Sequence, residues 1–218
     1  MIISCSAVLF DLDGVLVDST AHIERQWRDW AARRGLEAEP FLRRCHGRRA
    51  VETIRLAAPE LDAEAEVARF PEFAVEDGAR LDPLPGARQL LEGLPGGLWA
   101  VVTSGVRASA ARRIRDAGLP TPRVLVAAED VEHGKPSPEG YLLAAERLDV
   151  APTGCVVIED APSGVEAARA AGMRTLGLAF THPVDQLRGA NLVITQLPVV
   201  MSRPIDEGIE LLLPAVAD

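Results

Sequence analysis

A short apolar run, Ala7–Phe10, ends directly in the sequence Asp11-Leu12-Asp13-Gly14. Four apolar residues before such a break predict a buried parallel strand. The carboxyl end of this strand carries two carboxylates on alternate positions, and Gly14 lets the backbone turn away. In open α/β sheets, ligands bind just beyond the carboxyl ends of the strands. Asp11 and Asp13 are therefore candidates for chemistry, although Asp and Gly are also common in ordinary turns.

From Gly86 onward, short apolar runs alternate with helical segments. The predicted strands are Leu98–Thr103, Val124–Ala127, Cys155–Ile158, Thr175–Leu178 and Leu192–Ile194. The predicted helices are Gly86–Leu94, Ala108–Ala117, Pro138–Leu148, Gly164–Ala171 and Ile205–Leu213. This alternation predicts an α/β fold with a doubly wound, mainly parallel sheet and right-handed crossovers.

The intervening stretch is helical in pattern and contains no convincing strand. Ser19 is a plausible N-cap for a helix that ends at Gly35, and Trp27 and Trp30 fall on its apolar face. Further helices are predicted over Arg48–Ala58 and Ala63–Val75. We therefore predict a catalytic core of residues 1–18 and 82–218 with an inserted all-helical cap of residues 19–81. The second boundary of this insertion, Leu81–Gly86, is rich in proline and suits hinge motion.

Composition limits the classes of partner and compartment. The 218 residues carry a net charge of -9, which argues against a protein that binds nucleic acid or an anionic membrane. The 3 cysteines form no C-x-x-C pair, as is typical of a reducing compartment. No signal peptide and no apolar run of membrane-spanning length is visible. We expect a soluble cytoplasmic protein that is a monomer or a weak dimer.

Polar residues gather where the predicted apolar strands stop. They are Asp11, Asp13, Thr103, Ser104, Lys135, Glu159 and Asp160. If these strands are parallel neighbours, all seven residues face one crevice at the same edge of the sheet. Each of them alone fits an ordinary loop, but together they suit a phosphate ester and a hard cation such as Mg²⁺.

A reaction can be assigned to this set from its chemistry. Asp11 would attack the phosphorus and form an aspartyl-phosphate, while Asp13 would protonate the leaving alkoxide and then activate water. Mg²⁺ held by Asp11 and Asp160, together with the point charge of Lys135, would offset the repulsion between the carboxylate and the phosphate. Thr103 and nearby backbone amides would hold the non-bridging oxygens.

Four segments together resemble the signatures of the haloacid dehalogenase superfamily. They are Asp11–Ser19, Thr103-Ser104-Gly105, Gly134-Lys135-Pro136-Ser137-Pro138 and Val156–Val165, in that order. The resemblance implies that Asp11 is the nucleophile, that Asp13 is the general acid and base, and that Thr103, Ser104, Gly105 and Lys135 bind phosphate. It also implies that Asp160 ligates Mg²⁺ together with Asp11 and the backbone carbonyl of Asp13, with Glu159 just outside the ligand set.

The segment His46–Ile54 is similar to the cap of sugar-phosphate and glycerol-phosphate phosphatases of that superfamily. This resemblance implies that Arg49, with Arg48 as second choice, contacts the polar end of a small phosphorylated sugar or polyol. In the related hexose-phosphate mutases, a cap histidine lies twelve residues beyond the nucleophile. Ile23 occupies that position here, and His22 lies one residue earlier, about 100° around the helix. We therefore predict a phosphatase, with a mutase as the alternative.

Three other functions fit this set of residues less well. A metal-independent dehalogenase fits poorly with the pair Asp13 and Asp160. A phosphonate hydrolase would need a cap lysine, and residues 19–81 contain none. A non-catalytic protein that binds a phosphorylated ligand is possible on the same fold. The full set of three acids, a hydroxyl group and a lysine favours an enzyme over such a binding protein.

Overall fold

The computed structural model describes residues 1–69, 81–206 and 208–213. The strands are β1 Ile2–Cys5, β2 Ala7–Phe10, β3 Trp99–Val102, β4 Val124–Val126, β5 Cys155–Glu159, β6 Arg174–Leu178, β7 Leu192–Ile194, β8 Met201–Ile205 and β9 Gly208–Leu212. The helices are α1 Thr20–Arg34, α2 Glu39–Cys45, α3 Ala50–Ala57, α4 Ala63–Arg69, α5 Ala87–Glu92, α6 Arg107–Asp116, α7 Glu139–Leu148 and α8 Pro162–Ala170. None of the helices within these ranges is long and apolar enough to cross a membrane.

Six strands form one parallel sheet in the order β4-β3-β2-β5-β6-β7. The two central strands, β2 and β5, are buried along their whole length. Such continuous burial is typical of a parallel sheet that is covered by helices on both faces. The predicted α/β architecture with a mainly parallel sheet is confirmed.

Alternate residues of the central strands serve two separate cores. Val8, Phe10 and Ile158 belong to a core that includes residues of α5 and α6. Leu9 and Val157 face the other way, into a core that includes residues of α7 and α8. Because side chains alternate along a strand, one apolar run of four residues contributes to both layers.

The helices α1 to α4 pack around an apolar cluster of their own. Trp27 stacks on Phe41 with ring centroids 5.6 Å apart, and Ile54 is buried in the same cluster. Helix α2 was not predicted, and the part of the predicted helix Ala63–Val75 beyond Arg69 lies outside the described residues. The division into a core and a cap of residues 19–81 remains a prediction.

The predicted helix Ile205–Leu213 is wrong. Strands β8 and β9 pair antiparallel there, and β9 also pairs with β1, which gives a small sheet in the order β1-β9-β8. Ile209, Leu211 and Leu213 are buried, whereas the residues between them are only half-buried. This alternation has the period of a strand with one face against the core, and the pairing with β1 determines its structure.

Candidate active site

The carboxyl ends of five neighbouring strands meet at one edge of the parallel sheet. Asp11 directly follows β2, Thr103 follows β3, and Lys135 lies in the loop after β4. Asp160 follows β5, and Thr181 lies just beyond β6. The strand order brings these side chains to the position where open α/β sheets bind their ligands.

The ammonium group of Lys135 is buried between two carboxylates. It donates to Asp11 and to Glu159, and its third acceptor is the Val102 carbonyl, 3.2 Å away. Burial alone would lower the pKa of Lys135, but the charges of Asp11 and Glu159 outweigh it and raise the pKa well above its ordinary value. Lys135 therefore stays charged, and all three of its N–H donors are satisfied.

Glu159 is fully buried, and both of its carboxylate oxygens accept hydrogen bonds from neighbouring groups. Its Oε1 accepts from Lys135 and from the Tyr141 hydroxyl at 2.9 Å, and its Oε2 accepts from the backbone N–H groups of Asp160 and Ala161 at 3.0 Å. The backbone of Gly164 passes so close that a Cβ atom there would lie 1.7 Å from Glu159 Oε1. Glu159 thus connects the Lys135 loop to the beginning of α8.

Asp160 is held in a second group of polar contacts. The Thr181 hydroxyl donates to Asp160 Oδ2, and Gly14 approaches the same carboxylate so closely that a Cβ atom would lie 2.1 Å from Oδ2. Burial, with the charges of Glu159 and Asp11, raises the pKa of Asp160 well above its ordinary value.

Three carboxylates form a group that could hold a cation. Ligand atoms of Asp11, Glu159 and Asp160 lie within 4.8 Å of one another, and all three residues are buried. Burial raises the pKa of Asp11 to about 7; Lys135 acts against this shift, while Glu159 and Asp13 add to it. When all three are ionised, the single ammonium group leaves two negative charges uncompensated. Oxygen ligands with surplus negative charge suit a hard divalent cation.

Asp13 lies beside this group and is bound by two side chains. Nη1 of Arg113, on α6, lies 2.8 Å from both carboxylate oxygens of Asp13, and the Ser19 hydroxyl donates to Oδ1 at 2.6 Å. The predicted N-cap role of Ser19 is thus only positional, because its side chain bonds Asp13 rather than the amides of α1.

A cavity of about 220 Å³ opens above the strand ends, between the parallel sheet and helices α1 to α4. Asp11, Asp13 and Thr103 line one side of it, and Ile23, Trp27 and Val51 contribute apolar surface on the other side. Ser104 and Gly105 also line it, although the Ser104 hydroxyl donates to the Gly47 carbonyl at 3.0 Å. The seven residues predicted at strand ends are therefore gathered in and just below this cavity.

Arg48 and Arg49 also line the cavity, but their surroundings differ. Arg49 pairs with Glu52 and donates to the carbonyls of Val131 and Glu132, at 3.1 and 2.9 Å. Arg48 is half-buried and makes no ion pair in the described part of the chain. A contact between either of them and a substrate remains a prediction.

Three residues of this site are not among those predicted from the sequence. Arg113 falls on the inner face of α6 beside Ala110 and Ile114, so a charged residue in an apolar helix face was the available signal. Tyr141 is the one tyrosine of the chain and lies in the first turn of α7, the helix that follows Lys135. Thr181 follows the end of β6, where the rule applied to the other strands would have identified it.

The comparisons with known proteins agree with this geometry. A family model described as haloacid dehalogenase-like hydrolase matches residues 5–172. Hexitol phosphatase A of Escherichia coli is 42% identical over 201 residues, covering 88% of this chain and 92% of that protein. Glycerol-1-phosphate phosphohydrolase 2 of Saccharomyces cerevisiae is 34% identical over 203 residues, covering 87% of this chain and 81% of the yeast protein. The crystal structure of β-phosphoglucomutase from Clostridium difficile matches with a TM-score of 0.73 at 25% identity, covering 89% of this chain and 92% of that chain.

The close approach of Gly164 to Glu159 gives a stability prediction. We expect Gly164→Ala to lower the free energy of unfolding by about 3 kcal/mol, because the new methyl group must displace a fully bonded buried carboxylate. Gly96→Ala is the matched control, with no atom within 4 Å of its Cβ, and should change that free energy by less than about 0.5 kcal/mol. Urea unfolding measures both variants, and equal effects would contradict the packing around Glu159.

Proposed function

The chain belongs to the haloacid dehalogenase-like hydrolases, and from that premise we propose that it is a Mg²⁺-dependent phosphatase of small phosphorylated sugars or polyols. The observation that carries the proposal is the contact of the buried Lys135 ammonium group with Asp11, at the base of a cavity that Asp13 and Thr103 also line. A nucleophile, a proton carrier and two phosphate-binding groups are then available to one ester.

The proposed reaction has two steps. An Asp11 oxygen attacks phosphorus, the bond from phosphorus to the substrate oxygen breaks, and Asp13 gives its proton to that oxygen. Asp13 then takes a proton from water as the water oxygen attacks the aspartyl-phosphate. Inorganic phosphate leaves and the Asp11 carboxylate is restored. Thr103 and the backbone N–H groups of its loop are the proposed donors to the non-bridging oxygens.

Electrostatics is the main obstacle to the first step. Two unit charges of one sign repel by about 4 kcal/mol at 4 Å in an effective dielectric near 20. Lys135 offsets part of this repulsion from its position against Asp11. Asp11 and Asp160, with the Asp13 backbone carbonyl, are the proposed Mg²⁺ ligands, since the Glu159 oxygens already accept four hydrogen bonds. Mg²⁺ bound there would neutralise and orient the phosphoryl oxygens.

The proposed substrate is small because the space above Asp11 is small. The cavity of about 220 Å³ lies below the roughly 300–1,000 Å³ that is typical of pockets for drug-sized ligands. The two relatives named above are a hexitol phosphatase and a glycerol-1-phosphate phosphohydrolase, which supports a phosphorylated polyol or sugar for this chain too.

We propose that residues 19–81 act as a cap over this cavity. The Gly47 carbonyl accepts from Ser104 and Ser163, at 3.0 and 3.2 Å, and Glu52 accepts from the Gly134 N–H group at 3.0 Å. These contacts join the turn before α3, and α3 itself, to two loops and to the first turn of α8 at the carboxyl edge of the sheet. A cap held there would exclude bulk water from the aspartyl-phosphate.

The same cap argues against the mutase alternative. Ile23 lines the cavity at the position where the mutases carry a histidine. The ring of His22 lies 3.2 Å from the guanidinium group of Arg25 instead. No basic side chain at this position is available to assist proton transfer to a second sugar hydroxyl. Water is therefore the proposed acceptor of the phosphoryl group.

Release of inorganic phosphate tests the proposal. We expect the wild-type protein with Mg²⁺ to release one phosphate for each ester of glycerol or a hexitol consumed, and chelation to abolish release reversibly. Asp11→Asn should fold and show no turnover, because its amide cannot form the acyl-phosphate. The matched control is Asp18→Asn, in the same segment.

Three outcomes would contradict the proposal. Full activity without any divalent ion would contradict the role of the metal. Substantial activity of Asp11→Asn, with deamidation excluded, would contradict the role of Asp11 as the nucleophile. Conversion of a hexose 1-phosphate into its 6-phosphate without free phosphate would make the chain a mutase, and binding of the esters without turnover would make it a binding protein.

The two cap arginines have separable roles. The sequence favoured Arg49 as the substrate contact, but its bonds to Glu52 and the 131–132 carbonyls favour a role in docking α3. We therefore expect Arg48→Ala to lower kcat/KM for the preferred polyol phosphate by about tenfold while sparing 4-nitrophenyl phosphate. Arg49→Ala should reduce turnover of both esters alike. A selective loss in Arg49→Ala and none in Arg48→Ala would reverse the assignment.

A further inference from the structure

Arg113 is the arginine of α6 that faces the cavity. The helix also carries Arg107, Arg112 and Arg115, which lie further outside and pair with Asp130 or Asp116. Arg113 is only 9% exposed, lines the cavity, and has its Nη1 atom 2.8 Å from both oxygens of Asp13.

Stability does not explain an arginine at this position. Its neighbours on the inner face of α6, Ala110 and Ile114, are buried and apolar. A buried ion pair gives little net stability, and an apolar pair of similar volume is often as stable or more so. The charge at Arg113 is therefore better explained by what it does to Asp13.

The contacts of Asp13 fix the orientation of its carboxylate. Arg113 bridges both oxygens, and the Ser19 hydroxyl adds a second donor to Oδ1. Oδ2 is thus the oxygen with fewer partners, and it is the one that would carry the proton while Oδ1 keeps its contacts with Arg113 and Ser19. A proton carrier works only when its oxygen lies within hydrogen-bond distance of the reacting oxygen, so a freely rotating carboxylate would lose rate.

We propose that Arg113 is a positioning residue that holds Asp13 for proton transfer to the leaving oxygen of the substrate. This inference rests on the proposed phosphatase function and adds a requirement for the ester. The alkoxide of a polyol is strongly basic and must be protonated as it leaves. A 4-nitrophenolate is weakly basic and leaves without a proton, so the two kinds of ester should depend on Arg113 to different extents.

The test compares kcat/KM, which reports the steps up to phosphoryl transfer to Asp11, on two esters. The first is glycerol 1-phosphate or sorbitol 6-phosphate, whichever the wild-type protein hydrolyses faster, and the second is 4-nitrophenyl phosphate. We expect Arg113→Met to lower the ratio of alkyl to aryl kcat/KM by about tenfold or more, within the range of general acid catalysis. Arg112→Met, on the outer face of the same helix, should leave the ratio within about twofold of wild type.

Arg113→Lys provides a second variant that keeps the charge. A lysine keeps the charge, but its ammonium group ends a flexible stem and lacks the fixed planar geometry of a guanidinium group, so the ratio should fall between the values for wild type and Arg113→Met. An unchanged ratio in whichever of the two variants folds would overturn the inference, as would equal losses on both esters. Failure of the wild-type protein to hydrolyse either ester would overturn the proposed function, and this inference with it.

Discussion

The ammonium group of Lys135 lies between the carboxylates of Asp11 and Glu159, and the arrangement of the strand ends depends on it. With the Val102 carbonyl as its third acceptor, it connects the ends of β2, β3 and β5 through a single buried charge. Without a counter-charge, carboxylates crowded in a buried space would take up protons. Lys135 thus lets Asp11 remain a candidate nucleophile at the base of the cavity.

The surplus of negative charge around Lys135 connects the fold to the proposed chemistry. The oxygens of Glu159 accept hydrogen bonds from Lys135, Tyr141 and two backbone amides, so Asp11 and Asp160 are left to face a cation. Asp13 lies in the loop that also carries Asp11, on its cavity side, where Arg113 and Ser19 fix its orientation. The donors around each of the four acids therefore determine which of them faces a cation, which carries a proton and which binds Lys135. The proposed cap adds an enclosed space that admits a small ester.

The sequence predicted most of the strand-end residues because each follows an apolar run that is long enough to be a buried strand. Asp11, Thr103 and Asp160 were identified in this way, and the parallel strand order brings them together. The helix predicted over 205–213 was wrong, because the pairing of β9 with β1, more than 200 residues earlier, determines the structure of that segment. Arg113 differs locally from its neighbours only as a charged residue on an apolar helix face. Its partner, Asp13, lies 100 positions away in the chain, so no local pattern shows what the charge contacts.

Detection of the aspartyl-phosphate tests the central claim most directly. Asp13→Asn should accept the phosphoryl group from 4-nitrophenyl phosphate, which needs no proton donor, and then hydrolyse the intermediate slowly, because no base activates water. Acid quenching followed by peptide mass spectrometry should find one phosphoryl group on Asp11, removable by hydroxylamine. Sustained turnover by the wild-type protein, with no phosphoryl group on Asp11 in either protein or with the group on another residue, would contradict the account.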